Sequence, residues 1–320
     1  MILNNTEELK KHIPVSKNFA FDDFEPYIQK AVNSYLYQYV GDLHETLAEV
    51  TAEAAENAVI KNKARKYLQS AIANFGYFLF LPFASVQIDG SGLSNIVNEN
   101  RKNLEWWQRN DIGRELLRSG HEAMDFLLAI LEANPTVFTD WTENYADKNK
   151  ELLIHCTADF QEYYNIFNSR QTYLALVPAM RQVEDQYIKT FICGELITAL
   201  KSEPSHDKIK LAKEYVQKAI VAFTIAKVYD EGIFNLDASG IKLKFDTLPN
   251  ETLKAVDYGK PADQLTKAVK KQIDNGTNYI SMVKQIITEN PTVFTQCDSP
   301  LLHKTPTKFE VYNTQGVVGL

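Results

Sequence analysis

Apolar residues recur every three to four positions along two stretches of the chain. The first stripe is Ala64, Tyr67, Leu68, Ala71, Ile72, Phe75, Phe78 and Leu79, which is one face of a 3.6-residue helix. It predicts a helix over 63–81, stopped by Pro82 because the residue before proline avoids the helical region. The second stripe is Leu211, Tyr215, Ala219, Ile220, Phe223 and Ala226, ending at Asp230-Glu231-Gly232, a glycine exit. After each stripe the period falls to two. Val86 and Ile88 lead into Asp89-Gly90-Ser91-Gly92 and out to Leu93 and Ile96. Phe234 and Leu236 lead into Asp237-Ala238-Ser239-Gly240 and out to Ile241, Leu243 and Phe245. Alternation around a glycine-bearing turn predicts β-hairpins near 86–96 and 233–245. A further helix follows each hairpin, over about 104–133 and 262–289, and each stops at Asn-Pro.

Upstream, Asp22 or Asp23 can cap a helix that runs through Pro26 to Val40, with Gly41 at its exit; proline near a helix start and glycine past its end fit those positions. A second helix, rich in Ala and Glu, is expected over 42–58. Its counterpart from Glu195 is shorter and breaks at Pro204.

These elements form a repeat. Asn134-Pro135-Thr136-Val137-Phe138-Thr139 recurs unchanged at Asn290–Thr295, an offset of 290 − 134 = 156. Tyr67–Ile72 with Phe75 matches Tyr215–Ile220 with Phe223, and Ile88–Leu93 matches Leu236–Ile241, both at an offset of 148 (215 − 67). Pro26, Tyr35 and Gly41 match Pro178, Tyr187 and Gly194. Four blocks in the same order define a tandem duplication. The expected fold is mainly α, with two diverged copies of a four-helix unit, each bearing a hairpin. The first unit spans 1–142 and the second 173–296. Residues 143–172 are read as a connecting segment, with one long helix over Tyr145–Asn168. The tail, 297–320, is an extended C-terminal arm: Pro300 and Pro306 break it, and Lys308-Phe309-Glu310-Val311-Tyr312 alternates like a strand awaiting a partner.

At 320 residues the chain is long enough for two cores. Its net charge of −7 lacks the basic face of a nucleic-acid or anionic-membrane binder. A mildly acidic surface could still line a DNA channel, since it repels the backbone rather than gripping it. Three cysteines, Cys156, Cys193 and Cys297, are read as reduced core residues of an intracellular protein. The start has no basic, apolar leader, and the most apolar stretch, Phe75–Val86, is too short to span a bilayer.

Candidate chemistry is sparse. The spacing of Glu203 and His206 is that of a carboxylate–imidazole metal pair, but it lies in a proline-bearing loop with no second copy. His155 and Cys156 are neighbours that would point apart on a helix. Gly90-Ser91-Gly92 lacks the Lys-Ser/Thr of a phosphate loop. Trp106-Trp107, near Arg101, Lys102 and Arg109, is read as a helix start that packs one indole and presents the other, and otherwise as a base-stacking patch. No catalytic residue, cofactor or metal site is expected. The positions expected to meet partners are Ile88, Asp89, Leu93, Leu236, Asp237, Ile241, Lys308, Phe309, Val311 and Tyr312.

Tyr27-Ile28-Gln29-Lys30-Ala31, Ala71-Ile72-Ala73-Asn74-Phe75 and Tyr163–Arg170 resemble the signatures of a family encoded in structural gene clusters of Bacteroidetes phages and prophages, including crAss-like phages. Each unit also resembles the small helical adaptor that completes tailed-phage heads below the portal. The resemblance implies a non-enzymatic ring at the head-to-tail neck of the virion, assembled in the host bacterial cytoplasm. By analogy the ring is a dodecamer that meets portal and adjacent neck or tail rings, with DNA passing through its lumen and no membrane contact. The alternative is a soluble cytoplasmic helical regulator or small-ligand binder. A third, weaker class is an enzyme of unrecognised type.

Overall fold

The computed structural model describes residues 2–48, 56–84, 86–90, 92–95, 105–202, 206–229, 234–236, 241–243, 248 and 261–295. The chain is mainly helical and forms two compact units, which change over between Lys148 and Asn149.

In the first unit, α1 (Thr6–Leu9) precedes α2 (Phe21–Ala31), a π-helical turn (Val32–Leu36), α3 (Tyr37–Val40), α4 (Leu43–Ala48) and α5 (Glu56–Phe80). Strands β1 (Val86–Asp89) and β2 (Gly92–Asn95) follow, then α6 (Trp106–Ala133) and α7 (Thr139–Trp141). In the second unit come α8 (Thr157–Tyr163), α9 (Arg170–Val183), a π-helical turn (Glu184–Ile188), α10 (Lys189–Phe191), α11 (Gly194–Lys201) and α12 (Asp207–Val228). Then β3 (Phe234–Leu236), β4 (Ile241–Leu243) and α13 (Pro261–Glu289) complete it.

Three helices make each core. In the first unit α5 packs against α2 and α6; in the second α12 packs against α9 and α13. Phe24, Leu68, Ile72, Phe75, Met124 and Leu127 are sealed in one core, and Tyr173, Leu176, Val216, Ile220, Phe223 and Val283 in the other. Proline stands six residues ahead of the π-helical turn in both copies (32 − 26 and 184 − 178). That wide turn carries Tyr35 in one copy and Tyr187 in the other. Tyr35 stacks on Phe75 at 4.3 Å and Tyr187 on Phe223 at 5.4 Å. Each phenylalanine also meets a glycine: a Cβ on Gly120 would lie 2.7 Å from the Phe75 ring, and one on Gly276 2.6 Å from Phe223. Gly120 and Gly276 differ by 156, the offset of the Asn-Pro motif that follows them.

That motif is a helix stop built the same way twice. The Asn134 side-chain amide donates to the Ile130 carbonyl and that of Asn290 to Ile286, both at 2.8 Å. Each asparagine carbonyl then accepts from the valine and phenylalanine amides of the following turn, and Phe138 and Phe294 close onto their cores.

Several expectations are corrected. The cap of α2 is Ala20, and Asp22 and Asp23 sit in the first turn, where carboxylates favour the helix dipole. Residues 56–58 belong to α5, not to a helix begun at 42. The long helix over Tyr145–Asn168 is absent. In its place come a π-helical turn (Thr142–Ala146), a 3-10 turn (Asp147–Asn149), a stretch without regular structure, and α8. Leu152, Leu153 and Ile154 are all buried, and three consecutive side chains cannot share one helix face. α8 ends at Tyr163, where Tyr164 turns extended, and Phe167 and Asn168 take left-handed φ of 55° and 54° in the loop before α9.

The segment is therefore no linker; it is the second copy of the N-terminal segment. At an offset of 151, Ile2-Leu3 corresponds to Leu153-Ile154, Thr6 to Thr157 and Leu9 to Phe160. Gln69 donates to the Ile2 carbonyl at 2.8 Å, and its repeat mate Gln217 donates to the Leu153 carbonyl at 2.9 Å. The Asn4 amide donates to Glu8 at 2.8 Å, and the His155 amide to Asp159 at 3.2 Å. Each unit thus opens with an apolar strap pinned to its central helix.

The second strap has one addition. The Leu153 amide donates to buried Glu184 at 2.6 Å, and Lys201 Nζ lies 3.4 Å from the same carboxylate. Burial raises the pKa of Glu184, only partly offset by the Leu153 amide and Lys201. The folded state then binds a proton more tightly than the unfolded chain, so the contribution is fully present below the ordinary carboxylate range and lost as pH rises through the folded value. Glu184→Gln keeps an acceptor for Leu153 and removes the titration. The stability of the variant, measured by urea unfolding at several pH values, is expected to lose that downward slope while changing by only about 1 kcal/mol at pH 7; an unchanged slope would assign it to another group.

Candidate functional site

The hairpins place the expected contact residues in matching registers. Ile88 lies opposite Leu93 on the β1–β2 ladder, and Leu236 opposite Ile241 on β3–β4. Asp89 pairs with Gly92 at the first turn. Ile241 is corrected from a partner contact to a core residue: it is fully buried, and its amide donates to the Asn165 carbonyl at 3.0 Å, tying β4 to the α8–α9 loop. Asp237, Lys308, Phe309, Val311 and Tyr312 lie outside the described residues.

The aromatic positions sort clearly. Both indoles at the start of α6 are exposed, Trp106 at 74% and Trp107 at 51%, so neither is the packing partner expected. A capping box between Glu105 and Gln108 begins the helix at the pair. Arg109 is committed elsewhere, donating to the Leu81 carbonyl at 2.7 Å, while Arg101 and Lys102 lie outside the described residues. Phe126, stacked on Tyr67 at 5.3 Å, is also exposed. His206 Nδ1 accepts from the Lys208 amide and caps α12, and Glu203 lies outside the described residues. Among the cysteines, Cys156 is a free thiol. Cys193 is disulfide-bonded, which corrects the expectation of reduced thiols because pairing follows from proximity in the fold and not from sequence spacing. Cys297 lies outside the described residues.

The first unit holds a pocket of about 630 Å³ where α3 and α4 face α7 and the turn after it. Only Gly41 among its residues stands out in the residue pattern. That glycine has φ of +51°, and an added Cβ would overlap the Tyr145 hydroxyl. The Trp141 indole donates to the Tyr39 carbonyl at 2.9 Å and pins the far wall. Burial, then Tyr37 and Asp42, push the Tyr145 pKa up, so at neutral pH its hydroxyl is a donor as well as an acceptor. Lys61 and Lys148 among the lining residues supply positive charge, and Asp42 and Asp140 negative charge. No serine, cysteine or histidine is among the lining residues. The arrangement can hydrogen-bond a polar group of either sign.

Two straps, two Tyr–Phe–Gly stacks and two Asn-Pro stops make this a helical protein in which one domain occurs twice. The chain belongs to the family of unknown function DUF6712, whose model matches it at residues 28–151 and again at 182–301. No curated protein matches the chain. No solved structure matches it either.

Proposed function

We propose that this protein is a non-enzymatic ring component of a phage head-to-tail connector, bridging portal to tail components and lining the channel through which DNA leaves. In this reading each copy is an adaptor-like four-helix unit whose hairpin serves assembly. The observation that carries it is the way the copies have diverged. Their cores keep apolar character at matching positions, with the Tyr–Phe stack retained in both, while their surfaces differ: Trp106 and Trp107 stand exposed where the matching positions, at an offset of 156, are Ala262 and Asp263. A closed heterologous ring needs two different faces on each subunit, and exposed aromatics are typical of interface cores. A net charge of −7 suits a lumen that lets DNA slide. A disulfide at Cys193 suits a protein that finishes in a virion. Among the described residues no helix is long and apolar enough to cross a membrane.

Size-exclusion chromatography with light scattering, on the chain alone and mixed with its portal protein, tests the reading. A ring-sized species, a dodecamer by analogy, or a stable complex with portal is expected. A monomer indifferent to portal contradicts it. The second reading, a small-ligand binder, is favoured by the pocket at Gly41 and Tyr145; there a small polar compound would raise the melting temperature of a monomer.

A further inference from the structure

The two straps differ at one point that has chemical consequences. In the first, Asn5 caps α1, its side-chain oxygen accepting from the Glu8 amide at 2.9 Å. In the second, the matching residue is Cys156, which occupies the cap of α8 in an extended conformation (φ −145°, ψ 168°) and makes no side-chain cap hydrogen bond. The flanking pair has changed with it, Asn4 to His155 and Glu8 to Asp159. An asparagine cap has thus given way to a thiol lying between an imidazole and a carboxylate.

His155 and Cys156 precede α8 instead of lying within a helix, with Cys156 extended at the N-cap, and Asp159 reaches back to them from the first turn. His155 Nδ1 lies 3.1 Å from Asp159 Oδ2. One ligand atom from each of His155, Cys156 and Asp159 falls within 4.8 Å of the others. Four-coordinate zinc, with bonds of about 2.0–2.3 Å, sets its ligand atoms about 3.4–3.7 Å apart, a contraction that small side-chain rotations supply. The backbone is already fixed by the bond from the His155 amide to Asp159.

We propose that His155, Cys156 and Asp159 bind a divalent transition-metal cation of the zinc class through Nδ1, Sγ and a carboxylate oxygen, with solvent as the fourth ligand. A mixed nitrogen, sulfur and oxygen set selects zinc or cobalt over magnesium and calcium. Thiolate and carboxylate together neutralise the dication. A thiol gives up its proton on becoming a thiolate ligand, so a bound cation would displace one proton into solvent.

Cobalt(II) titration of the chelator-treated full-length chain, without reductant so that the Cys193 disulfide stays intact, tests the site. A thiolate-to-cobalt charge-transfer absorption, saturating at one equivalent per chain and bleached by zinc, is expected. Cys156→Asn restores the residue type of the first copy; it should abolish the absorption while raising the melting temperature. His155→Ala and Asp159→Asn should each weaken cobalt binding by about tenfold or more. No charge-transfer absorption in the parent chain, or one that survives in Cys156→Asn, overturns the proposal.

Discussion

Alanine at Gly41 is expected to destabilise the first unit by about 3 kcal/mol, whereas alanine at Gly194 leaves the second unit unchanged or slightly more stable. The two glycines occupy matching places in the repeat, so the contrast isolates conformation from position. Gly41 has φ of +51° and ψ of −134°, a region that costs a residue with a Cβ about 1–3 kcal/mol. The same Cβ would also overlap the Tyr145 hydroxyl. Gly194 is the first residue of α11, has no positive φ, and has nothing within 4 Å of an added Cβ, so alanine there gains helix propensity. All three tryptophans, Trp106, Trp107 and Trp141, lie in the first unit. Urea unfolding followed by tryptophan fluorescence therefore reports that unit alone. Adding Tyr145→Phe to Gly41→Ala should recover the steric part of the loss and leave the backbone part. Equal effects at the two glycines would contradict the account.

Alanine at Gly120 carries the second-largest expected effect, a net loss of about 2 kcal/mol despite the better helix propensity of alanine. The added carbon would lie 2.7–2.9 Å from three atoms of the Phe75 ring. That ring cannot retreat, because Tyr35 stacks on it nearly parallel, at 8° and 4.3 Å, and His121 meets it edge-on at 4.9 Å. Overpacking of this kind costs about 1–3 kcal/mol and sometimes more, against about 1 kcal/mol gained from replacing glycine within a helix. At Gly276 the added carbon would lie 2.6–2.8 Å from three atoms of the buried Phe223 ring, on which Tyr187 stacks at 5.4 Å and 28°, so Gly276→Ala should cost a comparable amount. Phe75→Leu combined with Gly120→Ala should be more stable than the sum of the single changes, by about 1 kcal/mol or more. Strict additivity would mean that the glycine does not serve the ring.

The sequence carried the repeat because cores and stops are written in residue type. The Asn-Pro motif, the Tyr–Phe pairs and the Gln69 and Gln217 positions all recur as letters and again as contacts. Conformation was less legible. Gly41 and Gly194 share a letter but not a backbone, since one turns with positive φ and the other starts a helix. The start of the second copy was hidden because Ile2-Leu3 and Leu153-Ile154 preserve only their apolar character, and the eye reads Leu152-Leu153-Ile154 as a continuing helix. The pocket was invisible because Tyr145 and Gly41 are far apart in sequence and meet only after Trp141 docks on Tyr39. His155 and Cys156 read as a pair pointing apart because the sequence places them on a helix; they precede α8, and Asp159, whose part the sequence did not signal, meets them from its first turn.

The central claim is that the chain duplicates a complete unit, strap included, so that the second copy begins at Leu153. Two insertions of the same flexible Gly-Ser segment test it, one between Lys150 and Glu151 and one after Phe167. Unfolding is followed by tryptophan fluorescence for the first unit and by far-ultraviolet circular dichroism for the whole chain. The account predicts that the first insertion leaves both signals within about 1 kcal/mol of the parent, and that the second, which severs the strap from α9, removes the cooperative transition of the second unit. Equal tolerance at the two sites, as a free-standing connector would show, contradicts it.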